Sequence, residues 1–393
     1  MQIGDFFLVV PPAFGAIAQA ELALKKDKIV ALCKDLGLIE SKCEWHVSLS
    51  EEGITISNLP LELGFALNIF LKIPTRILLR LKSFRCRDFP KLYKQTQKID
   101  WKPFIDGKMP KIKASAGKSR LMMLKRIEKT VADGISKTFS MDKTDTDTSV
   151  MDVYVRLYDD TCTLSIDTSG LALYKRHHEK KVGQAPIRET IAAALLTKLM
   201  EHRVEFCPEQ TLTLVDPMLG SGTFFLEAKN FGKGAQRKEY AFLSFPFIET
   251  KKNVFSKLFG ANLETTLWKG ECVGYDRNEK MLKCAQENLT GLSGISINEQ
   301  DIFADLENSL PSSVMLICNP PYGKRIGFKD TPSLFFNKLL AMIFAKWKPC
   351  LSGIIVPDEV IRDKRFQIPS QFKLIESFKF LNGGVKVSFL ILV

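Results

Sequence analysis

No apolar run in this 393-residue chain approaches the roughly 18 residues that a membrane-crossing helix requires, so the sequence offers no candidate for one. Histidine is scarce: there are four, two of them adjacent at His177 and His178, which is little material for metal-dependent hydrolysis. Nine cysteines are scattered without one Cys-x-x-Cys pair. An odd count without tight spacing argues against both a zinc site and a disulfide framework, and predicts reduced thiols. A cleaved signal is not expected, because Asp5 precedes the first apolar residues and no early basic cluster is present. These absences predict a cytoplasmic protein with no metal site and no membrane segment; they do not address oligomeric state.

What is present is positive charge. The formal net charge is +12, which favours a polyanionic partner. Its placement is uneven, with 17 Lys or Arg against 4 Asp or Glu between Arg76 and Lys129. One basic region beside a near-neutral remainder looks like a nucleic-acid platform joined to an enzyme. The length suits two or three domains.

In chain order, Phe6 to Val10 read as a strand and Ala16 to Leu32 as an amphipathic helix. Two short strands (Trp45 to Leu49, Gly53 to Ile56), a helix (Pro60 to Asn68) and a strand (Arg76 to Leu81) complete a small α+β unit over residues 1–75 and its exit. The basic stretch follows, with Arg85, Arg87, Lys91, Lys94 and Lys98 interleaved with aromatics, a composition suited to phosphate contact and base stacking. Phe89, Leu92, Trp101 and Phe104 themselves read better as core. Lys111 and Lys113 lie on a predicted strand, and Ser119 to Phe139 read as a helix capped by Ser119. Val150 to Tyr158 and Cys162 to Asp167 form a predicted hairpin around Asp159-Asp160, with a further strand over Ser169 to Leu173. A charged linker leads to a helix expected from Pro186 to Met200.

The stretch Thr211 to Ala228 organises the second half. Thr211 to Val215 read as a buried strand, Asp216 to Gly222 as a tight loop and Thr223 onward as a helix. Gly220 and Gly222 lack a Cβ, which lets the backbone bend sharply and approach a flat ligand, although a lone Gly-x-Gly also marks ordinary surface turns. The next acidic strand end is Asp276, 60 residues after Asp216, so an insertion is expected over about 230–269. It either touches substrate or merely covers the sheet. Asp301 follows the third strand. The fourth ends in Asn319-Pro320-Pro321-Tyr322-Gly323, where two prolines forbid continuation and leave a rigid loop. Beyond the carboxyl ends of such strands is where open α/β sheets bind ligands. Two final strands around Asn382-Gly383-Gly384 read as an antiparallel hairpin.

Asp-Pro-x-x-Gly-Ser-Gly-Thr-Phe together with Asn-Pro-Pro-Tyr-Gly resembles the S-adenosylmethionine-dependent methyltransferases of exocyclic base amines, and within them the RNA guanine-N2 enzymes that carry an N-terminal THUMP domain. The resemblance implies a Rossmann-like seven-stranded α/β methyltransferase sheet over 171–393, a ferredoxin-like α+β subdomain over 1–75 and a THUMP-type RNA-binding region over 76–170. It implies that Asp216, Pro217, Gly220, Gly222, Thr223, Asp276, Asp301 and Asn319 hold S-adenosylmethionine, with Asp276 on the ribose, Asp301 on the adenine amine and the Asp216 charge favouring the cationic donor. Asn319, Pro320 and Tyr322 are the implied catalytic residues, and Arg85, Arg87, Lys91, Lys94, Lys98, Lys111 and Lys113 the RNA contacts. An asparagine at position 319 does not choose between guanine and adenine. The N-terminal half favours guanine N2 in RNA, ribosomal RNA first, with a tRNA enzyme, a DNA adenine-N6 enzyme and a non-catalytic RNA-binding factor as rivals.

Overall fold

The computed structural model describes residues 2–40, 44–139, 151–177, 180–181, 183, 186–208, 212–235, 237, 239–265, 267–304, 313–322 and 331–393. The chain divides into two compact units. The first comprises Met1–Pro11, Ala18–His178 and Lys233–Leu263; the second comprises Pro12–Ile17, Glu179–Gly232 and Glu264–Val393.

The first unit's strands are β1 (Ile3–Val9), β2 (His46–Ser50), β3 (Gly53–Pro60), β4 (Arg76–Arg85), β5 (Lys111–Gly117), β6 (Asp152–Tyr158) and β7 (Thr161–Asp167), with a clean alternation of buried and half-buried residues along β6 from Asp152 to Leu157. They form one sheet in the order β2-β3-β1-β4-β7-β6-β5, antiparallel except for the β5 and β6 pair. The helix Leu61–Phe70 is apolar nearly all round, and all ten of its residues are buried. Asp88 caps the helix Phe89–Gln97 by accepting from the Lys91 N–H at 2.7 Å. Leu92 and Trp101 are fully buried, and the Trp101 indole donates to the Thr96 carbonyl.

Two predicted elements are corrected, and the hairpin between them is as expected. The helix after β5 starts at Leu124, not Ser119. Lys118 adopts a left-handed φ of 47°, and the Ser119 hydroxyl, instead of capping, donates to the Gly117 carbonyl and accepts from the Asp160 N–H. Asp159 and Asp160 are both left-handed, giving the tight two-residue hairpin turn. Ser169 to Leu173 is not a strand, because its carbonyls serve a side chain. Arg237 donates to the carbonyls of Ser169, Leu171 and Ala172 while lying over the Tyr240 ring.

Arg237 belongs to the excursion Lys233–Leu263, which folds within the first unit. Phe242 and Phe245 are buried against Phe65, with the Phe65 and Phe242 rings stacked at 5.2 Å. Lys251 pairs with Glu62. Phe242 and Phe245 are therefore core, and the reading in which Arg237, Phe242, Phe245 and, beyond the excursion, Trp268 contact substrate is set aside for these four, since all are buried.

In the second unit short apolar runs form β8 (Thr213–Asp216), β9 (Cys272–Asp276), β10 (Ile295–Glu299), β11 (Val314–Cys318), β12 (Leu351–Pro357), β13 (Leu374–Asn382) and β14 (Val385–Leu392). The order is β10-β9-β8-β11-β12-β14-β13, parallel through β12, then antiparallel. This is the expected seven-stranded α/β sheet with a terminal hairpin, whose Gly383 and Gly384 both take positive φ. Val215, Leu316, Ile354 and Leu390 pack with Phe336, Leu340 and Ile343 of the helix Pro332–Trp347. The helix before β8 starts at Glu189, later than expected, because Arg188 is extended and Pro186 lies outside it.

Cys207 and Cys350 form a disulfide across 143 residues, with Cα atoms 5.9 Å apart. The expectation of reduced thiols throughout is thereby corrected: sequence spacing hid a pair that the sheet brings together. The bond lies at the amino ends of the strands, since the Cys350 N–H donates to the Val314 carbonyl at the start of β11.

Candidate active site

Parallel strands present their carboxyl ends on one side, and the loops leaving β8, β9 and β11 meet there. The loop after β8 is tied down twice. The Leu219 N–H donates to the Tyr275 carbonyl at 2.8 Å, and the Gly220 N–H donates to Asp276 Oδ2 at 2.9 Å. The second Asp276 oxygen accepts from the Asn278 N–H, so this carboxylate orients the glycine loop while each oxygen keeps acceptor capacity. Among the described residues, no atom lies within 4 Å of where a Cβ on Gly220 (φ 55°) would stand, so its face is open. Gly222 (φ 75°) is the left-handed N-cap of the helix Thr223–Asn230, and a Cβ there would lie 2.8 Å from Leu289 Cδ1. One glycine thus leaves an open face, and the other permits close packing.

Asp216 is 2 % exposed and accepts from the Met218 N–H. Burial, partly offset by that hydrogen bond and helped by a smaller push from neighbouring Asp276, raises its carboxyl to about 8. At neutral pH the carboxyl is mostly protonated, so the charge expected to favour a cation is absent until a cation arrives. Pro217 and Thr223 are buried, and Asp301 sits one strand over, half-exposed beside Arg277 at 3.8 Å, with Oδ1 accepting from the Phe303 N–H.

At the end of β11 the Asn319 side-chain oxygen is buried and has no hydrogen-bond partner among the described residues. A buried acceptor left unpaired costs about 1–3 kcal/mol, so this oxygen is an unsatisfied acceptor at the end of a central strand. Pro320 is buried beside it, and the Tyr322 hydroxyl accepts from the Asn382 amide at the β13–β14 turn. Asp216 and Asp276 lie close enough to Cys318 to act on its thiol electrostatically, which places the end of β11 beside theirs.

The basic residues lie in the first unit. Arg85, Arg87, Lys91, Lys94, Lys98 and Lys111 are exposed, Arg87 pairing with Asp160 at 2.6 Å. Lys113 is half-buried, paired with Asp152 and beside the Tyr154 ring.

A THUMP domain model matches residues 86–167, and an RMKL-like methyltransferase domain model matches residues 176–355. The chain carries a THUMP domain and an RMKL-like methyltransferase domain. It is 28% identical over 298 residues to slr0064 of Synechocystis sp., named as a candidate RNA methyltransferase, covering 70% of this chain and 73% of that one. With the ribosomal RNA large subunit methyltransferase K/L of Vibrio parahaemolyticus it shares 27% identity over 333 residues, 78% of this chain but 45% of the relative, so the chain spans about half of that protein. Among solved structures SMU.472, named as a candidate methyltransferase and crystallised with SAH, aligns over 100% of this chain and 98% of its own with a TM-score of 0.74 at 20% identity. The THUMP match contains Arg87, Lys91, Lys94, Lys98, Lys111 and Lys113, with Arg85 just before it; the methyltransferase match contains both the glycine loop and the Asn-Pro-Pro-Tyr loop.

Residues that sequence reasoning misses surround the glycine loop. Asn288 donates through Nδ2 to the Ser221 and Lys181 carbonyls, and its Oδ1 accepts from the Lys181 N–H, stapling the two backbones together. The Lys180 ammonium donates to Glu189 Oε1 at 2.6 Å and to Thr223 Oγ1 at 2.9 Å. Asn382 reads from the sequence only as a turn residue. None of these positions has a periodic or motif signal.

Proposed function

We propose that this protein transfers a methyl group from S-adenosylmethionine to the exocyclic N2 amine of a guanine in RNA, with large-subunit (23S) ribosomal RNA as the substrate. The observation that carries the reading is the unpaired, buried Asn319 oxygen in an Asn-Pro-Pro-Tyr loop at the carboxyl end of a central strand. An acceptor held this way suits an amine N–H. The donor supplies an electrophilic methyl on a sulfonium. The open face at Gly220, the Asp276 carboxylate and the loop held by Asn288 fit a flat nucleoside with a diol, so the donor's requirements and the residues present agree.

An aromatic amine is a poor nucleophile because its lone pair is delocalised into the ring. The Asn319 oxygen and the Pro320 carbonyl each accept one amine N–H, drawing the nitrogen toward tetrahedral geometry and freeing the lone pair. Tyr322, anchored at its hydroxyl by Asn382, stacks on the base. Positioning and preorganised acceptors, not a strong base, supply the rate: the N–C bond forms as the S–C bond breaks, S-adenosylhomocysteine leaves, and the surplus amine proton passes to solvent afterwards. The base must leave its helix or come from a loop to reach such a pocket. Exposed Arg85, Arg87, Lys91, Lys94, Lys98 and Lys111, together with Lys113, hold the RNA body. Support for RNA comes from the THUMP domain, and support for ribosomal RNA from the K/L relatives.

The test is transfer of labelled methyl into separated ribosomal RNA, tRNA and DNA, followed by nucleoside identification. N2-methylguanosine in large-subunit RNA is expected. Label in tRNA, or on adenine, would overturn the finer assignment, and absence of label from all three would overturn catalysis. Asn319→Ala is expected to abolish transfer while leaving donor affinity within about twofold of wild type; unchanged turnover at saturating donor and RNA would remove Asn319 from the mechanism.

A further inference from the structure

We infer that Lys180 is the counter-ion for the carboxylate of the donor's amino acid tail, held ready by Glu189 until the donor arrives; this rests on the methyl-donor reading of the glycine loop. The side chain of Lys180 is 5% exposed and that of Glu189 12% exposed, so the ammonium is almost removed from water. An ammonium has three N–H donors. Two are used, on Glu189 Oε1 at 2.6 Å and Thr223 Oγ1 at 2.9 Å, and the third has no partner among the described residues.

Position makes that third donor informative. Thr223 opens the helix that leaves the glycine loop, and Gly222 is its N-cap, with no side-chain cap among the described residues. Unpaired backbone N–H groups give a helix start partial positive charge, so a lysine ammonium there is the wrong sign. Glu189 supplies one negative charge against both the ammonium and the helix end, leaving the cluster net positive. Burial makes an imbalance of this kind costly unless an anion completes it. A carboxylate with two acceptor oxygens answers the charge and the unspent donor together. Glu189 thus serves as placeholder in the donor-free protein, and Lys180 is a specificity-determining residue for a ligand that carries an acidic tail.

The experiment measures binding by titration calorimetry with two ligands, S-adenosylhomocysteine and its analogue lacking only the carboxylate, on the full chain. Wild type is expected to prefer the acid by at least about tenfold, the range of one charge-assisted hydrogen bond. Lys180→Met should bring the two affinities within about twofold of each other by weakening the acid alone, and Lys180→Arg should restore the preference. A wild-type protein that binds both equally overturns the inference without any variant. So does a Lys180→Met protein that keeps the preference, or one in which both affinities fall to the same degree, which would mark a purely structural lysine. If wild type binds neither ligand, the donor reading itself fails.

Discussion

Donor affinity should depend on pH through Asp216. Its carboxyl is pushed up to about 8 by burial at the end of β8, so in the donor-free protein it is mainly protonated at pH 7. A sulfonium cation beside it favours the ionised form, and binding therefore releases a proton. If only the ionised form accepts the cation, apparent affinity rises about tenfold per pH unit below 8 and levels off above, which amounts to about 30-fold between pH 6.5 and pH 9. S-adenosylhomocysteine carries the same tail and nucleoside but no charge on sulfur, so the ratio of the two affinities isolates the sulfonium. Calorimetric titration of both ligands across that range, in wild type and Asp216→Asn, is the assay. The ratio should climb with pH in wild type and stay flat in Asp216→Asn; a flat wild-type ratio, or a slope that survives in the variant, would refute the reasoning. The same shift has a stability consequence with its own sign. A carboxyl whose folded-state value lies above the unfolded value contributes stability in full below about pH 4, and that contribution is lost as pH rises through 8. Donor-free Asp216→Asn should therefore melt above wild type at pH 9 and show little gain near pH 4.

The two glycines of the loop should separate in their effects. Gly220→Ala places a methyl on an open face, so donor affinity should fall at least about tenfold while stability falls only by the roughly 1–2 kcal/mol of a left-handed alanine. Gly222→Ala adds a collision with Leu289 to that strain, so thermal denaturation should show it as the less stable of the two; the opposite ranking would refute the tight packing at Gly222, and unchanged donor affinity in Gly220→Ala would mean the donor does not lie against Gly220. Replacing Lys91, Lys94 and Lys98 with Glu should lower RNA affinity and flatten its dependence on log salt by about 0.7–0.9 for each phosphate no longer neutralised, with donor affinity unchanged. An unaltered salt slope would remove these lysines from the RNA surface.

Much of the second unit is legible in the sequence because its signals are local. Short apolar runs ending in Asp216, Asp276 and Asn319 read as buried parallel strands, and the positive φ required at Gly222, Gly383 and Gly384 is chemistry that glycine announces. Expectations fail where a distant partner decides the local shape. Ser119 has the chemistry of a helix cap, yet the Asp159–Asp160 turn competes for its hydroxyl from 41 residues away, and the helix starts at Leu124. Ser169 to Leu173 has strand composition, but Arg237 claims its carbonyls from over 60 residues away. Cys207 and Cys350 illustrate the same point for thiols, since spacing rules cannot see a contact made by strand order.

At the site the division follows the same physics. Asn319, Gly220 and Asp276 stand out because rare local requirements, a proline-locked loop, a sharp turn and an acidic strand end, restrict the sequence around them. Lys180, Glu189 and Asn288 meet no such restriction: a lysine in a charged linker has the same letters whether it is solvated or buried. Only the packing of the linker against the glycine loop, through two backbone bonds to Asn288, takes Lys180 out of water and turns an ordinary charge into one that must be balanced. The orphan oxygen of Asn319 and the unspent proton of Lys180 are thus related, one an acceptor and the other a donor without a partner among the described residues. In the proposed reading the two answer different molecules, the acceptor matching the amine of the substrate base and the donor matching the carboxylate tail of the methyl donor.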